Sequence, residues 1–187
     1  MASIIKVDTI QTAAGGTPTA AGLGLNTTGS VLQVVQATEP AVVTTSSTSF
    51  VDLGNLSATI TPSSTSSKIL LTMHIGRATA TAYLYSFAFR FVRGSTVVGV
   101  GNADGNRIQA STMGAGNASN DSNHTYSTPS MMYLDSPNTT VATTYKVQGC
   151  IQGGSTLAIN RNQSNPNASD VHAGRTICTL TVMEIAG

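Results

Sequence analysis

The chain has 187 residues, a net charge of +1 and 9% charged residues, although 40% of it is hydrophobic. Soluble domains carry roughly 25% charge, so solubility here rests on hydroxyls and amides, with Ser and Thr supplying 49 residues. The low net charge argues against disorder, and the scattered Lys and Arg exclude a basic surface for nucleic acid or anionic membrane.

In chain order, the first element is a short strand over 3–11. Its apolar residues Ile4, Ile5, Val7 and Ile10 fall on both faces, so it cannot be buried alone and is expected to dock on a neighbour. The opening MASIIKVDTIQ has no long apolar run of an export signal, and no stretch is long enough for a membrane-spanning helix. Residues 12–30 are rich in Ala, Gly and Thr, with Pro18, and read as a linker. The expected division is an anchoring arm over 1–30 and one β-sandwich domain over 31–187.

Strands are predicted at 31–37, 41–45, 50–53, 57–61, 68–77, 83–93, 96–100, 107–110, 130–134, 143–151, 156–160 and 176–185. This spacing, with no helical period, points to an all-β, antiparallel β-sandwich or jelly roll. Strand 83–93 puts Tyr83, Tyr85, Phe87, Phe89 and Phe91 on one face. That row is expected to fill the core between two sheets; the alternative sets part of one face against symmetry mates. As an exposed stacking platform it would be an aggregation hazard. Two long polar loops, 111–128 and 162–174, are the places where function or partner contact is expected. Their candidate contact residues are Asn117, Asn120, Asn123 and His124 in the first, and Asn165, Asn167 and His172 in the second.

The residue chemistry offers no catalytic constellation. Eight carboxylates are spread singly, Ser and Thr are too abundant to single out a nucleophile, and no G-x-S-x-G occurs. His74, His124 and His172 lie in strand-surface or loop positions, where solvated side chains are expected rather than a metal site. Neither an enzyme nor a cofactor is expected. Cys150 and Cys178 each fall in a predicted strand; a disulfide is open to them, but buried free thiols suit a reducing cytoplasm better.

Several strings together carry a resemblance. They are Ile5-Lys6-Val7-Asp8-Thr9-Ile10, Gly29-Ser30-Val31-Leu32-Gln33-Val34-Val35-Gln36, and the Ser-rich turn from Ile60-Thr61-Pro62-Ser63 to Ser67-Lys68-Ile69-Leu70-Leu71. Phe89-Arg90-Phe91-Val92-Arg93-Gly94-Ser95, Tyr133-Leu134-Asp135-Ser136-Pro137, Thr144-Tyr145-Lys146-Val147-Gln148 and Thr181-Val182-Met183-Glu184-Ile185 follow. Over nearly its whole length the chain resembles the small tail-fibre-like virion structural proteins of marine tailed phages, cyanophages included. The resemblance implies a virion-surface protein made in the host cytoplasm and folded as a jelly roll similar to the trimeric C1q/TNF-like heads. The expected partners are two further copies in a homotrimer, other phage virion proteins of tail or capsid, and a host surface glycan or protein. A tail fibre or spike anchored by the arm is the leading expectation, and a capsid decoration protein stabilising the head is the alternative.

Overall fold

Two-residue alternation governs the longest strands of the computed structural model, which describes residues 9–19, 22–24, 28–82, 84–115 and 126–187. Strand β1 spans Val31–Glu39, β2 Val43–Thr45, β3 Val51–Ile60, β4 Lys68–Ile75, β5 Ala78–Ala80 and β6 Ser86–Arg93. The remaining strands are β7 Thr96–Val98, β8 Thr112–Ala115, β9 Ser130–Asp135, β10 Thr143–Ile151, β11 Leu157–Ile159 and β12 Cys178–Ile185. In β4, Ile69, Leu71, Met73 and Ile75 are buried while the residues between them face outward. In β12, Cys178, Leu180, Val182 and Glu184 do the same.

All pairings are antiparallel. One sheet has the order β1-β12-β4-β9, the second β3-β10-β6-β7 with β8 also on β6, and a small third β2-β11-β5. The inner faces of the two large sheets form one core. Leu53, Leu56, Ile60, Phe87, Phe89, Phe91, Tyr145 and Val147 come from the second sheet, and Ile69, Leu71, Met73, Leu180 and Val182 from the first. The chain is therefore an antiparallel β-sandwich. Each large apolar side chain buried in it contributes about 1.5–3 kcal/mol. The Phe row of β6 lies in this core as expected, with Phe87 and Phe89 edge to face at 5.7 Å between centroids.

Where the strands depart from the expected spans, a local backbone reason is visible. The predicted strands 50–53 and 57–61 are one element, β3. Leu53 and Leu56 are both buried although three residues apart, because a bulge around Gly54 (φ 53°) inserts extra residues opposite β10. The predicted strand 68–77 ends at Ile75, and the chain re-enters as β5 in the small sheet. The switch occurs at Gly76, whose Cα approaches Thr176 and the Ile177 carbonyl so closely that no Cβ fits. Strand 83–93 begins only at Ser86, since Leu84 turns the backbone into the left-handed region (φ 65°) and is exposed. Residues 107–110 form no strand; the β-structure there is β8, inside what the sequence marks as the start of a loop.

Three buried polar clusters stitch the sandwich. Glu184 (0% exposed) accepts from Ser63 N, Ser63 Oγ and Ser67 Oγ at 2.6, 2.6 and 2.7 Å, and from Gln33 Nε2 at 2.6 Å, binding the Ser-rich turn and β1 to β12. Asp135 accepts from Tyr145 Oη at 2.7 Å and from Arg93 Nη1 at 2.8 Å, joining the two large sheets. Burial, reinforced by the bond to Asp135, pushes the Tyr145 phenol well above its ordinary range. Asn160 (φ 64°) donates to the Glu39 and Ala41 carbonyls and accepts from Cys178 Sγ and Thr176 Oγ1. Both cysteines are buried free thiols, and burial raises Cys178 to about 11.

Candidate functional site

The two outer faces of the sandwich differ in chemistry. On the second sheet the outward side chains form a polar ladder: Arg90 Nη2 donates to Gln148 at 2.8 Å, and Gln148 Nε2 and Lys146 Nζ both donate to Asp52 at 2.8 Å. Arg90 also lies 4.1 Å over the Phe50 ring. Such a face is at ease in water.

The outer face of the β1-β12-β4-β9 sheet has no such ladder. Register places Val34 beside Met183, Met183 beside Leu70 and Leu70 beside Leu134, so one apolar row crosses all four strands. The next row is Gln36, Thr181, Thr72 and Met132, uncharged throughout. Val34 is 56% exposed, Leu134 52% and Met132 66%. A shallow depression of about 570 Å3 lies on this face, lined in part by Thr72, His74, Ser130 and Met132. The only ionisable side chains in these rows and those beside them stand at its two ends, Lys68 bonded to Ser136 Oγ at 3.0 Å and His74 to Ser130 Oγ at 3.0 Å. Alternation predicts which β4 and β12 residues face outward. It does not reveal that the outward residues of four strands, distant in sequence, align into one apolar row.

The two ends of the sandwich differ as well. At one end the residues entering β1 run beside Ala186, just past β12, through Gly29 N to Ala186 O at 2.7 Å and Ala186 N to Ser30 O at 2.8 Å. Because β12 pairs with β4 in the register Cys178–Ile75, the segments preceding Cys178 and following Ile75 meet at the other end. There the loop 160–176 is held from within. Asn162 Nδ2 donates to the His172 carbonyl at 2.9 Å, Asn165 N donates to Asn162 Oδ1 at 2.8 Å, and Arg175 Nη2 donates to Asn165 Oδ1 at 2.5 Å. Arg77, 7% exposed, donates through Nη1 to the His172 and Gly174 carbonyls at 3.0 and 3.3 Å, and its guanidinium lies 4.2 Å from the centroid of Tyr126.

The residues singled out from sequence are placed as follows. Ile4, Ile5 and Val7 lie outside the described residues, as do Asn117, Asn120, Asn123 and His124. Ile10 is exposed. Asn165, Asn167 and His172 share the loop 160–176, where Asn165 and the His172 carbonyl serve its internal bonding and Asn167 is exposed. Arg77 and Tyr126 escape sequence reasoning because Arg77 sits at the end of an apolar run and Tyr126 in a polar loop. Nothing in either string marks the contact between them. Among the described residues no three His, Cys, Asp or Glu side chains gather as a metal-binding group. No helix of the described residues is long and apolar enough to cross a membrane. No protein-family model matches the chain, and no curated protein matches it.

Proposed function

We propose that the chain is a structural protein of a tailed-phage virion surface, a homotrimeric tail-fibre or spike component anchored by its N-terminal arm, with host attachment at its far end. The observation that carries this reading is the uncharged, apolar outer face of the β1-β12-β4-β9 sheet. A contiguous exposed face of that kind is a place for protein contact, and on a structural protein the available partner is another copy. The apolar row reaches both edge strands, with Val34 on β1 and Leu134 on β9, where Met132 of the next row adjoins it. Each copy thus offers two different lateral patches, which suits a head-to-tail contact that closes into a ring. The threefold order follows the resemblance to phage fibre proteins.

Topology supports the same reading. Leaving aside β8 and numbering along the chain, the other eight strands of the two large sheets are ordered 1-8-3-6 and 2-7-4-5, an order that supports a jelly roll. The arm leaves one end and the loop 160–176 lies at the other, about 25 Å away for eight residues of β12 at about 3.4 Å each. An anchor at one end with polar loops at the other is the layout of a projecting module.

Labelling of intact particles with an antibody to residues 31–187, viewed by electron microscopy, tests this. Label at the tail is expected. Label over the head would replace the fibre by a capsid decoration protein, and absence from particles would remove the virion-surface reading.

A further inference from the structure

The far end of the sandwich holds a cavity of about 420 Å3 lined by Arg77, Tyr126, Asp170, Val171 and His172. Three features of it point to one ligand chemistry. First, Arg77 is a nearly buried cation that donates to two neutral carbonyls, and among the described residues no carboxylate lies within ion-pairing distance of it. A buried charge is costly unless compensated. Second, Arg161 and Arg175 stand in the same loop, where burial and, after it, the nearby Arg175 charge lower the pKa of Arg161. Three of the nine basic residues of a chain with net charge +1 therefore lie at this end. Against them, the loop itself carries Asp170 alone, whose Oδ2 lies 3.9 Å from His172 Nδ1 and whose side chain is mostly exposed. Third, Tyr126 is 48% exposed, with the Arg77 guanidinium packed against its ring. A half-exposed Tyr is a contact surface that loses little entropy on binding.

We infer that this cavity is a binding site for a carboxylated sugar, of the uronic or sialic acid type. The ring of the sugar packs on Tyr126, its carboxylate is drawn toward Arg77, and its hydroxyls donate to the Asp170 carboxylate at the rim. An apolar wall with a few convergent polar groups is the usual make-up of a small-molecule site. A neutral sugar would use the ring and Asp170 but leave the cationic surroundings unanswered. The inference rests on the attachment role proposed above for its biological purpose, while its chemistry stands on the isolated domain.

The test is calorimetric titration of the full chain with galacturonic, glucuronic, mannuronic and N-acetylneuraminic acid trisaccharides, each beside its carboxyl-reduced counterpart. At least one acid is expected to bind, with the reduced form about tenfold weaker, a factor corresponding to about 1.4 kcal/mol. Tyr126→Ala is expected to weaken the acid about tenfold and Tyr126→Phe less than about threefold, the Phe variant, which keeps the ring on Arg77, with an unchanged melting temperature. Arg175→Gln, an exposed change, should weaken the acid and leave the reduced form as it was. Binding of none of the four acids, equal binding of the reduced forms, or indifference to Tyr126→Ala would each overturn the inference. Because no particle is involved, a failure here is separable from a failure of the virion-surface reading, which the labelling decides.

Discussion

Glu184 is the residue on which acid stability turns. Burial alone would raise its pKa, but the hydrogen bonds from Ser63, Gln33 and Ser67 hold it at about 2 against an ordinary 4.5. A carboxyl depressed in the folded state stabilises that state fully above its unfolded pKa. The contribution is lost as pH falls from about 4.5 toward about 2. The difference corresponds to about 3 kcal/mol. In Glu184→Gln the new amide points donors at donors around Ser63 and Gln33, so a loss of about 2–4 kcal/mol at neutral pH is expected. Urea denaturation between pH 7 and pH 2 checks both: the gap between wild type and variant should close with acidification. Parallel curves would mean that the carboxylate is not the group holding the turn. The string around Glu184 is visible in the sequence, but its partners are not. Gln33 lies 151 positions away, and a lone Glu in an alternating strand reads as solvated.

At the scale of elements, the alternation of β4, β10 and β12 is legible because burial on one face enforces a two-residue period over eight or nine residues. The breaks are less legible, because each depends on what lies across the sheet. Gly54 reads as an ordinary turn glycine until β10 lies opposite it and Leu53 and Leu56 both need the core. Gly149 offers a sharper test of the packing. A Cβ there would come within 2.7 Å of Leu53 Cδ1 and 3.2 Å of Leu157 Cδ2. Gly149→Ala is therefore expected to cost about 1–3 kcal/mol through overpacking. At Gly153 the nearest atom, Thr48 Cγ2, would be 3.5 Å away, so Gly153→Ala should change stability by less than about 0.5 kcal/mol. Thermal melts of the two variants compare them directly, and equal losses would contradict the core described here. In the sequence, length and polarity alone mark the loop 162–174. The cavity beside it depends on Arg77 and Tyr126, which lie in connecting segments about a hundred and about fifty positions earlier.

The whole molecule is asymmetric: one outer sheet face is laddered with charge and amide while an apolar row crosses the other, and one end holds the residues entering β1, the other the loop 160–176. Deleting residues 1–28 is expected to leave a folded, self-associated β-domain that no longer joins particles, as measured by co-sedimentation with them. Normal incorporation would remove the anchoring role. Sequence shows neither asymmetry, since both require knowing which strands are neighbours. The face is also where a single charge should act most. Leu134→Glu, on the outward side of β9, is expected to disrupt association while changing the stability of the single copy by less than about 1 kcal/mol. Lys146→Glu on the opposite sheet should leave association intact. The most direct measurement is the solution mass of the full chain by sedimentation equilibrium or native mass spectrometry, with Leu134→Glu beside it. The wild type is expected at three times the 19.1 kDa of the chain and the variant at a single copy. A wild-type monomer at micromolar concentration, or an oligomer indifferent to Leu134→Glu, would contradict this expectation.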